Sequence, residues 1–495
     1  MNEQSLTPEM KKTLQETTFK LTLRNFSFQL SADLFKRILS AVIAVLLANY
    51  LGVAENGRYN LVFSYLFMVL VISEFGLGPI VMRDFSRYRS KHRGVDNADI
   101  VVNAITLKLL FSVVAYCIGA LILFRMESMS YVRDLTLLAM LTVFFNWRNV
   151  LLSVFESQLE LKTPSIIQVT TGFCENLVML VLILMKASIW VFIFWKTIVF
   201  IPETLLFLKY LKPLQLHLSR IRFSVIGYLV RQAFPLFLSS FCIVIYLRVD
   251  QLFLNAFFGK AQVGIYAAAV NLSQPFSVFA LAFMAAMAPM LMRFMDQPHR
   301  FERLYHDSFR LMNSVAIPLA VMGTLLSDHL IRILYHSGYS ESSLPFAILL
   351  WGNVFVFMGV VNNKLLIIGG RQSLDLVFTS VSLGVNLILN FILIPRYGIP
   401  GAAIASVIAY ATGPILGYFI PATHPYSRRM FITSIRPAIA SLAMGLVVYP
   451  MKNHIISSLI IGSATYFLIL WLVRGIHAQD RELLKSLRFT DRFGI

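Results

Sequence analysis

Apolar runs long enough to cross a membrane recur from one end of this chain to the other, and no other feature of the sequence restricts its fold as severely. A helix needs about 20 predominantly apolar residues to span the ~30 Å hydrocarbon layer, and its internal hydrogen bonds leave no backbone group unsatisfied in lipid. Set against charged, proline and glycine breaks, the runs predict about fourteen spans, near 29–50, 58–82, 101–124, 133–155, 165–185, 189–209, 226–257, 264–292, 309–327, 345–368, 374–394, 399–420, 432–450 and 454–474. Composition agrees. Of 495 residues 57% are hydrophobic and 14% charged, with a mean hydropathy of +0.72, too little charge to clothe a soluble surface. The expected class is an all-α, polytopic membrane protein.

The net charge of +18 would suggest nucleic acid in a soluble chain. Here the bases sort by loop instead, and no nucleic-acid partner is expected. One set of loops carries Arg83, Arg87, Arg89, Lys91 and Arg93, then Lys209, Lys212, Arg220 and Arg222, then Arg293, Arg300, Arg303 and Arg310, then Arg428, Arg429 and Arg436. The opposite set holds mostly single bases: Arg58, Lys186, Lys260, Arg396 and Lys452. Lysine and arginine collect on the cytoplasmic side, so both termini are expected in the cytoplasm, which requires an even number of spans. The same loops suit anionic lipid headgroups. Cys117, Cys174 and Cys242 sit singly in apolar segments, without disulfide or metal spacing. The polar lead-in of ~25 residues does not read as a cleavable signal peptide.

Two stretches look like one phrase written twice: LGVAENGRYN at Leu51–Asn60 and FGKAQVGIYA at Phe258–Ala267, offset by 207 residues. Gly52, Gly57 and Tyr59 match Gly259, Gly264 and Tyr266. Read as short exposed turns on the outer side, their glycines suit a tight link between antiparallel helices and their tyrosines the headgroup level. At an offset of 210, Asn176 and Lys186 match Asn386 and Arg396, and Val81-Met82-Arg83 matches Leu291-Met292-Arg293. Two parallel six-helix bundles plus two C-terminal helices are therefore expected. The domain reading is 1–210 for spans one to six, 211–225 for a basic connector, 226–421 for spans seven to twelve, and 422–495 for the last two spans and a tail.

These residues resemble the polysaccharide-transporter branch of the multidrug/oligosaccharidyl-lipid/polysaccharide superfamily, whose members include O-antigen flippases. The likeness covers nearly the whole chain. It rests on Ala48-Asn49-Tyr50-Leu51-Gly52 with Gly57 and Tyr59, on Glu74-Phe75-Gly76-Leu77-Gly78 leading to Arg83, and on Val249-Asp250-Gln251. It continues in Val263-Gly264-Ile265-Tyr266-Ala267-Ala268-Ala269 and in Ile394-Pro395-Arg396-Tyr397-Gly398-Ile399-Pro400-Gly401-Ala402-Ala403. The resemblance implies movement of a lipid-linked oligosaccharide, commonly on undecaprenyl diphosphate, across a bacterial cytoplasmic membrane. Other polysaccharide-assembly membrane proteins are the partners it suggests.

A diphosphate cargo calls for a polar, cationic cavity, and ionisable residues inside spans are the default functional candidates because lipid penalises them. Arg148, Arg231, Arg248 and Lys364, with Lys196 and Arg37, are read as a cationic lining. Asp250, Glu74 and Asp33 are read as ion-coupling or charge-pairing groups; Asp33 and Arg37, four apart, share a helix face. The plainer readings stand beside these. Lys36, Arg231 and Lys364 lie near cytoplasmic ends and can snorkel, and Glu74 can satisfy backbone at the Gly76–Gly78 bend. A multidrug cation antiporter or a lipid II flippase fits the same fold. An enzyme does not: there is no Gly-rich phosphate loop, metal spacing or nucleophile elbow, so neither catalysis nor a cofactor is expected.

Overall fold

The computed structural model describes residues 8–87, 96–125, 130–158, 162–210, 221–295, 297–369, 371–421 and 423–475, with side chains mostly from 35 onward. The Asp33 side chain, Arg89, Lys91, Arg93, connector residues 211–220 and the tail beyond 475 lie outside the described residues. Among those described there is no strand. In order the helices are α1 (Pro8–Glu74), α2 (Leu77–Arg87), α3 (Asn97–Arg125), α4 (Ser130–Met140), α5 (Arg148–Ser157), α6 (Lys162–Leu184), α7 (Ile189–Ile198) and α8 (Phe200–Tyr210). Then follow α9 (Phe223–Phe258), α10 (Lys260–Arg293), α11 (Pro298–Leu334), α12 (Ser343–Ile368), α13 (Gln372–Tyr397), α14 (Ile399–Phe419), α15 (His424–Val448) and α16 (Ile455–Leu472).

Thirteen described stretches are long and apolar enough to cross a bilayer. One of them, Phe35–Phe85, has 51 residues. As a straight helix it would run for about 77 Å, more than twice the ~30 Å hydrocarbon layer. It is in fact interrupted at Gly52, whose φ of 72° and ψ of 172° leave the helical region. Counted as two passes it brings the total to fourteen. Gly259, the matching residue, separates α9 from α10 with φ 82° and ψ −177°. Both copies of the repeated phrase thus use glycine for the same left-handed, extended residue, a conformation that penalises any side chain.

The rest of the phrase is not an exposed turn, contrary to the sequence reading. Asn56 is 2% exposed, Tyr266 is fully buried, and helix resumes directly after the first glycine of each copy. Gly57 and Gly264 instead face each other. A Cβ on Gly57 would lie 3.0 Å from the Gly264 nitrogen, and one on Gly264 3.0 Å from the Gly57 nitrogen. Closer still would be the carbonyl oxygens of Lys260 and Val53, themselves a matching pair. Small residues let backbones approach like this where lipid offers no hydrophobic drive between helices. A polar ladder continues the contact along one face of α1: Asn56 Nδ2 donates to Gly264 O (3.2 Å), Asn60 to Asn56 O (2.8 Å), and the Ser64 hydroxyl to Gln251 Oε1 (2.7 Å).

The chain divides into two compact units, 1–267 and 268–495. In the first, Leu77, Val81 and Phe85 of α2 pack with Val101, Ala104 and Leu107 of α3, Val150 and Val154 of α5, and Leu229 and Ala233 of α9. In the second, α15 and α16 are fastened to α11. Asn313 donates to Met430 O and Ser434 Oγ, Tyr466 Oη donates to Ser314 O at 2.7 Å, and Met322, Leu326, Met444 and Leu470 fill the space between. Polarity is inverted relative to a soluble bundle: Asn386 and Asn390 of α13 are fully buried while their neighbour Ile388 is 60% exposed.

Candidate functional site

Three spans of the first unit are broken at the same place. The second breaks at Phe75 and Gly76, both with left-handed φ (46° and 65°). Such a conformation is an outlier for phenylalanine, and here the ring is held by stacking on Phe111 (4.1 Å) and Phe237 (4.6 Å). The fourth changes from α4 to a 3₁₀ turn, Leu141–Phe145, before α5 resumes. The sixth breaks at Val199 between α7 and α8. Broken helices are tolerated at membrane depth where their backbone is satisfied by protein or lines a cavity. Both conditions hold. Val143 O accepts from the hydroxyls of Ser112 (2.7 Å) and Ser73 (3.4 Å), and a cavity of about 450 Å³ opens beside the breaks, lined by Phe67, Glu74, Asn146, Arg148, Asn149 and Phe200 among others.

The charges around this cavity come in pairs. Lys108 Nζ, with no exposed side-chain surface, bonds Glu74 Oε2 at 2.7 Å, and Asn149 Nδ2 donates to the same oxygen at 3.1 Å. Arg148 Nη1 bonds Glu203 Oε2 at 2.8 Å while its guanidinium covers the Phe200 ring, 4.1 Å from the centroid. Lys196 pairs with Glu175. Of the predicted lining, Arg148 and Lys196 thus carry counter-charges from other helices. Arg148 still has guanidinium donors beyond the one given to Glu203, and it is the cation that lines the cavity directly.

Of the other predicted residues, Arg248 stacks on Phe67, a cavity-lining ring, with 4.6 Å from guanidinium carbon to centroid. Arg37 and Arg231 are exposed on their helices, and Lys364 of α12 is half-buried in the second unit. Asp250 is buried beside the Gly57–Gly264 crossing: Tyr266 Oη donates to its Oδ2 at 2.5 Å and the Gln251 nitrogen to its Oδ1 at 2.8 Å. Glu74 faces the cavity and pairs with Lys108 rather than capping the glycine bend. Lys108, Asn149, Phe200 and Glu203 belong to this site without having been assigned to it from sequence. Among the described residues no His, Cys, Asp and Glu cluster could hold a metal ion.

Such an architecture, a helical membrane protein with broken spans around a charged internal cavity, is the fold of the multidrug/oligosaccharidyl-lipid/polysaccharide transporters. It superposes on lipid II flippase MurJ in an inward closed conformation with a TM-score of 0.73, covering 93% of this chain and 99% of that one at 17% identity, a likeness of fold. Residues 22–295 match the family described as polysaccharide biosynthesis protein, and residues 235–392 match MatE. The chain belongs to the polysaccharide biosynthesis protein family. Its curated relatives include capsular polysaccharide biosynthesis protein CapF of Staphylococcus aureus, 22% identical over 34% of this chain and 44% of the relative. Another is the probable flippase AglR of Haloferax volcanii, 26% identical over 49% of this chain and 53% of the relative. The chain thus spans about half the length of the curated relatives it matches.

Proposed function

We propose that this protein is a flippase for a polyprenyl-diphosphate-linked oligosaccharide, a surface-polysaccharide repeat unit, moving it from the cytoplasmic to the outer leaflet by alternating access. The observation that carries the reading is Arg148, a guanidinium on the wall of a largely apolar cavity whose polar groups, Glu74, Asn146 and Asn149, gather beside it. Arginine forks onto phosphate oxygens where lysine only places a charge. The carboxylates beside the cavity make the empty site affordable in lipid, and a diphosphate competes with Glu203 for Arg148. With loop charge setting both termini in the cytoplasm, Glu74 lies 22 residues past the outer break at Gly52, or about 33 Å of helix rise. The cavity then belongs to the cytoplasmic half of the membrane, where the cargo is made. A polyprenyl tail stays in lipid throughout, and undecaprenyl is the carrier that the family resemblance favours.

The test is a lipid extraction from cells with and without the gene, quantifying diphosphate-linked oligosaccharides beside surface glycan. Accumulated lipid-linked units with lost surface glycan support the reading. An unchanged pool with new sensitivity to cationic drugs supports a multidrug antiporter instead, with Glu74 as the cation's partner. In the same assay Arg148→Ala at normal protein level is expected to reduce surface glycan about tenfold or more, with Arg148→Lys recovering only part of it; a tenfold loss corresponds to about 1.4 kcal/mol. Undiminished glycan in Arg148→Ala would remove Arg148 from the site.

A further inference from the structure

Helix α11 is far longer than a crossing requires. Its 37 residues rise about 55 Å, whereas the hydrocarbon layer needs about 20 residues. Every ionisable residue of its first half falls in the opening stretch, from His299 to Arg310, and the segment from Leu311 to Ser327 has none. The opening stretch therefore extends beyond the apolar part by up to about 18 Å at His299, through the level of lipid phosphates into water. There it meets the start of α15, and the two enclose a groove of about 250 Å³ lined by His299, Glu302, Arg303, His306 and Arg429.

Four of these five residues are cationic or become so on protonation. The lone carboxylate bridges two of them through one oxygen: Glu302 Oε1 accepts from Arg429 Nη1 at 2.6 Å and lies 3.7 Å from His306 Nε2, and Arg429 also contacts His306. Arg303 lines the groove and has no carboxylate partner among the described residues. Next to the groove's His306, the Tyr305 side chain is fully buried against His306 and Tyr426. A groove with excess positive charge and donors from two helices has the chemistry of an oxyanion site.

We propose that this groove binds a phosphate group, and that the group is the headgroup phosphate of an anionic lipid in the adjoining leaflet. The phosphate oxygens take donors from Arg303 and Arg429 with the two imidazoles alongside, displacing Glu302 from Arg429. The lipid source follows from position: the α11 residues of the groove lie about 8–18 Å of helix rise from the apolar segment that begins at Leu311, the level at which anionic headgroups concentrate. None of its residues lines the cavity of the first unit, so the inference holds whatever cargo that cavity carries.

The test uses the full-length protein, purified in detergent and delipidated, then titrated with equal amounts of phosphatidylglycerol and phosphatidylcholine and read by native mass spectrometry. The wild type is expected to retain phosphatidylglycerol preferentially, and Arg303→Gln/Arg429→Gln to lower that preference about tenfold with an unchanged melting temperature. Arg300→Gln removes the same kind of charge from the same helix, at a residue whose guanidinium sits over Phe294 rather than lining the groove; it is expected to leave the preference intact. A loss in Arg300→Gln equal to that in the double variant would overturn the site, as would no loss in the double variant. Competition by millimolar inorganic phosphate, with no preference between the two lipids, would overturn the lipid source and assign the groove to free phosphate.

Discussion

Leucine in place of Gly264 is expected to cost about 3 kcal/mol or more and to abolish surface-glycan export, and leucine at Gly57 to do the same. Adding side-chain volume to a packed core typically costs about 1–3 kcal/mol when neighbours can shift rotamers. Here the nearest atoms are the opposing backbone at Val53 and Lys260, which has no rotamer to change, so the helices themselves must separate. Two further glycines isolate the cause. Gly227 of α9 has nothing within 4 Å of its Cβ direction, and Gly227→Ala is expected to be neutral or mildly stabilising. Gly52 has equally open space but φ 72°, and Gly52→Ala is expected to cost about 1–2 kcal/mol through its backbone alone. Melting temperatures of the four purified variants rank these effects. A Gly264→Leu protein as stable as Gly227→Ala would show that the crossing is not tight.

The second large effect concerns the Lys108–Glu74 pair. Removing one partner from a buried ion pair costs about 3–5 kcal/mol, because the other charge is left behind. The two single variants are not equivalent. Lys108 has no exposed side-chain surface, so Glu74→Gln strands a fully buried ammonium and falls at the upper end of the range. Glu74 is 33% exposed and keeps Asn149 as a donor, so Lys108→Met leaves a carboxylate with some relief and falls at the lower end. The double variant, Lys108→Met with Glu74→Gln, is expected to be more stable than Glu74→Gln alone. Thermal unfolding of the three proteins checks the order, and Glu74→Gln proving milder than Lys108→Met would show that the pair does not carry the strain assigned to it.

Much of the fold is readable from sequence because lipid enforces it. A segment of about 20 apolar residues has few alternatives to a crossing helix, and the span count survives once Gly52 is recognised as the break in the 51-residue stretch. The site is less readable, for a geometric reason. A single sequence shows which charges sit inside spans but not how each helix is rotated about its axis. Arg148 and Glu203 are 55 residues apart, and Lys108 and Glu74 are 34 apart; neither separation says that the pair meets. Arg231 and Arg37 are read as lining from their place in the spans, and the sequence does not say that their side chains are exposed rather than packed beside Arg148. The repeated phrase misled in another way. Glycines that make a turn and glycines that admit a neighbouring backbone are the same letter, and each copy holds one of each kind.

The reciprocal contact at Gly57 and Gly264 is what two identical subunits make about a twofold axis, where residue i of one meets residue j of the other and the reverse. A homodimer that improved such an interface would have to accept every change twice. A single chain carrying both sides of the crossing is free of that constraint, and its two sides differ. Asn56 donates a hydrogen bond across the crossing to Gly264 O, while its counterpart Val263 has no side-chain donor and is packed without exposure. Asn56 and Val263 differ where identical subunits would have to agree, so one side of the crossing is bonded and the other only packed.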